Sequence, residues 1–105
     1  MKILDKEIDF NFEEAENIDK AVKLDEKYTK ELEKAVTLTQ KCEVYKNFFD
    51  ELIGNGTSEE LFGDKNNFFQ ITDAYQELIK EAENVYARMA KAKAKFSKKY
   101  ERYVK

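Results

Sequence analysis

A chain of 105 residues, 42% hydrophobic and 39% charged, has the length of one domain and the balance of long amphipathic helices, not of a compact mixed fold. A net charge of −3 excludes a generic polyanion binder, and the single cysteine, Cys42, excludes an intramolecular disulfide. No apolar run approaches the ~18 residues of a membrane span, and the start turns charged before a leader's apolar segment can form, so the sequence predicts a soluble, intracellular protein.

Residues 1–12 open with a strand pattern. Ile8, Phe10 and Phe12 alternate with Asp9 and Asn11. A turn at Asp5-Lys6 predicts a small hairpin between Ile3-Leu4 and Ile8–Phe12, which must lie on a helix or pair with another chain.

Residues 13–53 then read as one long helix. Asn17 is its candidate N-cap. Ile18, Ala21, Val22, Tyr28, Leu32, Ala35, Val36, Thr39, Cys42, Tyr45, Phe49 and Leu52 recur at steps of three and four along one face. Val36-Thr37-Leu38-Thr39 has weak helix propensity, so residues 36–39 are the expected kink or break.

The corner, 54–66, holds all three glycines of the chain. Gly54 is the expected left-handed C-cap of the first helix. Thr57 and Glu60 stand at capping-box spacing, opening a one-turn helix that stops at Gly63. Asn66 or Asn67 caps the next segment. Residues 67–104 form a second long helix, with Phe68, Ile71, Tyr75, Leu78, Ala82, Val85, Met89, Ala92, Phe96, Tyr100 and Tyr103 close to a heptad seam. The fold class is therefore mainly α: an antiparallel hairpin of two long helices with a capped helical corner and a small N-terminal β-hairpin or strand.

Charge supports the antiparallel pairing. Residues 88–105 carry eight cations against Glu101, a net of +7, which leaves −10 for the other 87 residues. The pairing sets that basic end beside Glu13, Glu14, Glu16, Asp19, Asp25 and Glu26, and cations also suit a helix C-terminus. Eight phenylalanines and six tyrosines exceed what two helices can bury, which predicts self-association or a partner protein.

No constellation of residues supports catalysis, a cofactor or a metal. Carboxylates are abundant, but without histidine the Glu-x-x-His pairs of di-iron bundles are absent. Cys42 has no histidine to activate it and falls on an apolar helix face. Gly54-Asn55-Gly56-Thr57 lacks the Gly-Lys-Ser/Thr ending of a phosphate loop. The basic helix 88–105 is the one candidate nucleic-acid element, but its aromatics continue the helical seam and the acidic first helix can neutralise it, so nucleic acid is the second reading. The residues expected to contact a protein partner surround the corner: Phe48, Phe49, Phe62, Phe68, Phe69 and Tyr75. The alternative for each is the cap of the chain's own core.

Several of these segments carry a resemblance. Met1-Lys2-Ile3, Ile8-Asp9-Phe10, Glu14-Ala15-Glu16-Asn17-Ile18 and Gln40-Lys41-Cys42-Glu43 lead into Phe48-Phe49-Asp50-Glu51-Leu52. Gly54-x-Gly56-Thr57-Ser58, Leu61-Phe62-Gly63, Lys65-Asn66-Asn67 and Ala74-Tyr75 follow. Together they resemble a family of small proteins of phages and prophages of Gram-positive bacteria, found among tail-morphogenesis genes. The chain departs from it at the end, where a Pro-Asn-Arg-type tail is replaced by helix-like sequence, and around Thr37–Thr39, which is shorter. The resemblance implies a non-enzymatic role in tail assembly, as a chaperone that binds the tape-measure protein or as a minor tail component. It places the protein in the bacterial host cytoplasm or in the virion, and it brings no catalytic residues.

Overall fold

A computed structural model describes the backbone of residues 1–104 and the side chains of residues 1–94. The predicted seam positions Phe96, Tyr100 and Tyr103, and the cations from Lys95 onward, lie outside the described side chains. The chain is mainly helical with a small antiparallel sheet at its start. Its elements are β1 (Lys2–Ile3), β2 (Lys6–Glu7), α1 (Ala15–Lys34), α2 (Leu38–Leu52), α3 (Thr57–Phe62) and α4 (Phe68–Val104). The molecule is elongated, 60 × 30 × 21 Å, because α4 has 37 residues and a length of about 55 Å at 1.5 Å per residue.

The hairpin is shorter than expected and shifted in register. Lys2 pairs with Glu7 and Ile3 with Lys6, so the two-residue turn is Leu4-Asp5. Both turn residues have positive φ, 51° and 63°, the mirror-image turn that suits the twist of a hairpin and favours Asn-Gly. Ile8, Phe10 and Phe12 are buried and Asp9 and Asn11 exposed, as the alternation predicted, but beyond Ile8, which exchanges two backbone hydrogen bonds with Met1, the segment pairs with no strand. Its three apolar side chains go into the helical core instead. The turn is tied to α4 by the Leu4 N–H, which donates to Glu77 Oε2 at 2.7 Å, and to α3 by Lys6, which donates to the Glu60 carbonyl. Asp5 is exposed, so Asp5→Gly removes left-handed strain without losing a packed contact. It should raise stability by about 0.5 kcal/mol in urea unfolding. A lowered midpoint would contradict the turn.

The first helical segment divides at Ala35–Thr37, overlapping the expected 36–39 but one residue earlier. Thr37 makes a capping box: its Oγ1 accepts from the Gln40 N–H at 3.1 Å, and Gln40 Oε1 accepts from the Thr37 N–H at 3.0 Å. Gln40 Oε1 also accepts from the Val36 N–H at 2.7 Å. The break lets α2 fold back against α1. Tyr28 of α1 meets Phe48 of α2 edge to face, with ring centroids 5.7 Å apart. The apolar face therefore does not run through the break: Val36 is 84% exposed, Thr39 is exposed, and Leu24, outside the predicted face, is buried. Asn17 does not cap α1. Glu14 holds that position with no side-chain hydrogen bond, while Asn17 Nδ2 donates to the Asn11 carbonyl at 2.8 Å.

At the corner, Gly54 takes φ 148°, away from the left-handed helical well, and Gly56, at φ 93°, is the N-cap of α3. The expected Thr57–Glu60 box is absent. Thr57 Oγ1 turns back and donates to the Gly54 carbonyl at 2.7 Å. The cap comes from α2: Asp50 accepts from the Ser58 N–H through Oδ1 and from the Ser58 hydroxyl through Oδ2, both at 2.8 Å. Gly63 closes α3, as expected, its N–H donating to the Glu59 carbonyl at 2.8 Å. Asn67 caps α4, its Oδ1 accepting from the Gln70 N–H at 3.1 Å.

The core lies where α1, α2, α3 and the near half of α4 converge. Ile3, Phe49, Leu52, Leu61, Ile71 and Leu78 are its most enclosed large side chains. Glu13, just before α1, forms an ion pair with Arg88 of α4. That contact gives the antiparallel direction the charge pattern predicted, but it joins only Arg88 to Glu13; Asp25 and Glu26, also expected beside the basic end, lie with Ile79, Ala82 and Glu83 of α4 instead.

Candidate protein-docking site

The six corner aromatics divide into three groups. Phe48, Phe49 and Phe62 are buried, with the Phe49 and Phe62 rings 5.6 Å apart, so they close this chain's own core. Phe68 and Tyr75 are half-buried against that core; Tyr75 packs on Tyr45 and Phe48 at 5.1 and 5.6 Å. Burial raises the Tyr75 hydroxyl pKa above its ordinary value. Phe69 alone of the six is mostly exposed, at 77%. The residues facing outward are thus largely not those the sequence singled out.

An open apolar groove lies elsewhere, between α1 and α4, with α2 as its floor. Its volume is about 290 Å³. Ala21 and Val22 of α1 form one wall, Ile79, Ala82 and Tyr86 of α4 the other, and Phe48 and Leu52 lie beneath. Phe12 lines it as well, one residue before Glu13 and its ion pair with Arg88. The charged side chains that line it are all acids: Asp25, Glu26 and Glu83. Val22 and Tyr86 are nearly half exposed, as is Met89, one helical turn beyond Tyr86. The groove therefore runs out onto an uncovered apolar stripe of α4, Ile79–Ala82–Tyr86–Met89, at steps of three and four. Side chains at that spacing on the α4 wall accept another helix by ridge-and-groove packing. The signal in the sequence was this stripe. The seam predicted from the sequence takes in Ala82 and Met89 but leaves out Ile79 and Tyr86, because periodicity gives a face but not the angle at which α1 leaves it.

Chemistry is sparse. Burial pushes the Cys42 thiol pKa up, which withholds the nucleophilic thiolate; its Sγ lies 3.9 Å from the Asn66 carbonyl. At the far side of the α1–α2 hairpin, Lys27 donates to Glu51 at 2.7 Å and the Tyr28 hydroxyl donates to the same oxygen at 3.1 Å. The Lys27 contact holds the Glu51 carboxyl below the usual range, while burial first, and the Glu51 bond second, raise the Tyr28 hydroxyl. These three groups pin α1 to α2; of them Tyr28 borders a cavity, one of only about 10 Å³. Among the described residues no three Cys, Asp or Glu side chains cluster as a metal ion would require, and no helix is long and apolar enough to cross a membrane.

Fold and groove together define an elongated helical domain with an open, acid-rimmed apolar surface. The chain belongs to the family of unknown function DUF6673, whose model matches residues 4–105. No curated protein and no solved structure matches it.

Proposed function

We propose that this protein works by protein–protein contact, without chemistry of its own, and that the α1–α4 groove is where a helical segment of another chain docks. The observation that carries the reading is the joining of three half-exposed apolar side chains, Val22, Tyr86 and Met89, to an apolar groove whose charged lining is acidic throughout. Such a surface selects an amphipathic helix with basic flanks. The resemblance to phage and prophage proteins supplies the setting: assembly of a tail, with the long helical tape-measure protein as the partner, in the host cytoplasm or in the virion.

Co-expression of the tagged chain with a phage tape-measure protein from the same genome tests this reading. The two should co-elute, and Val22→Glu, which sets a carboxylate on an acid-rimmed apolar wall, should weaken retention at least ~10-fold, about 1.4 kcal/mol. Failure to co-elute, or retention untouched by Val22→Glu, would count against the proposal. Tight, salt-sensitive DNA binding by the same preparation would favour the basic helix 88–105 as a nucleic-acid contact instead.

A further inference from the structure

Helix α4 outruns the body of the protein. Val85 is the last buried residue among its described side chains, and the helical backbone continues to Val104. Nineteen residues of helix, Tyr86 to Val104, about 28 Å long, follow Val85. Helices in proteins draw most of their stability from a packed face. The described part of this extension has none, and Tyr86 and Met89 are its uncovered large apolar groups.

We infer that the groove and the α4 extension are two halves of one interface, and that two copies of the chain pair through antiparallel α4 helices with Met89 on the two-fold axis. The inference rests on the groove being a docking surface. Three observations select a second copy as the occupant. The first is charge: Asp25, Glu26 and Glu83 line the groove, while the sequence from Arg88 to Lys105 carries a net +7. The second is continuity: the stripe Ile79–Ala82–Tyr86–Met89 runs without a break from the groove wall onto the extension, and the sequence keeps its spacing at Phe96, Tyr100 and Tyr103. The third is geometry: a continuous helix cannot fold residues 92–104 back onto a groove walled by its own residues 79–86, so the segment with the matching chemistry must come from another chain.

The register follows from symmetry. An isologous contact pairs position i with a fixed sum minus i. Ala82 stands seven residues before Met89 and Phe96 seven after it, so an axis at Met89 sets the large residue of one copy opposite the small wall residue of the other. That places a basic amphipathic helix in each acid-rimmed groove, twice per dimer.

Three chains test the pairing by sedimentation equilibrium at about 100 μM, where a micromolar dimer is saturated. The wild type should sediment at twice its 12.4 kDa chain mass. Met89→Glu should sediment as a monomer that still unfolds cooperatively, its helical circular dichroism falling by no more than the 86–104 extension accounts for, because that side chain is half exposed and outside the core. Met89→Cys should form a disulfide-linked dimer under mild oxidation, since an axis position brings both sulfurs within bonding range. The wild type, whose one cysteine is buried, should not. A monomeric wild type overturns the inference, as does a dimer that survives Met89→Glu or a Met89→Cys chain that does not cross-link. A monomer that still holds the tape-measure protein in a Val22-dependent way overturns the dimer while leaving the docking function in place. Loss of both removes both.

Discussion

Phe49→Ala should lower the stability of this protein by about 3–5 kcal/mol, the cost of emptying an aromatic site that cannot collapse. Phe49 is fully buried. It stands on the last turns of α2, with Phe48 beside it at 6.1 Å and Phe62 of α3 at 5.6 Å, both near edge to face. Its ring therefore bridges the helix that enters the corner and the short helix that leaves it. Domains of this size have about 5–15 kcal/mol in all, so the variant should be partly unfolded at physiological temperature. Guanidinium unfolding followed by circular dichroism reads the change. Phe69→Ala is the internal control: that side chain is mostly exposed, and its removal should stay within about 0.5 kcal/mol. Equal losses from the two variants would contradict the division of the corner aromatics into core and surface.

Asp50→Ala carries the second large effect, about 2–3 kcal/mol, because it leaves two donors of a buried residue without partners. Ser58 is 8% exposed, and its N–H and hydroxyl both end on the Asp50 carboxylate. The N-cap of α3, Gly56, has no side chain to replace it. The carboxylate also lies at the positive end of α3, where negative charge is favoured. Asp50→Asn keeps an acceptor for the Ser58 N–H and should cost about half as much. Ser58→Ala removes one bond and should lose less again, and in the Asp50→Ala background its further cost should be small, since the two residues act through one contact. Additive losses in that double-mutant cycle would show that Asp50 stabilises the corner by another route.

The corner also shows what the sequence could and could not reveal. Thr57-x-x-Glu60 has the spacing of a capping box, yet the cap comes from Asp50, eight residues before Ser58 and on a different helix. Local spacing rules cannot find a partner delivered by tertiary folding. The reverse happened at Thr37-x-x-Gln40. The spacing of the box is plainly there in the sequence, but the poor helix propensity of Val36–Thr39 marks the stretch as a weak point and hides the start of a helix. The consequence was a missed fold-back of α2 on α1. The antiparallel charge argument did carry through, because it depends on direction alone, and Glu13 does meet Arg88. Burial of Ile8, Phe10 and Phe12 followed from alternation, while the lack of a pairing strand beyond Ile8 did not, since alternation marks a buried face whether or not a neighbour supplies hydrogen bonds. The groove was least legible. Each of its walls is an ordinary amphipathic face, and the space between them exists only once the break at Ala35–Thr37 fixes where α1 runs.

The claim that matters most is that the α1–α4 groove takes up a basic amphipathic helix. Fluorescence anisotropy of a labelled peptide spanning residues 92–105, which the antiparallel register sets against residues 73–86 and not against position 89, tests it directly when titrated with the Met89→Glu chain so that self-pairing does not compete. The account predicts saturable binding that falls as salt rises and that Val22→Glu weakens at least ~10-fold. Absence of saturation, or binding indifferent to Val22→Glu, would contradict it.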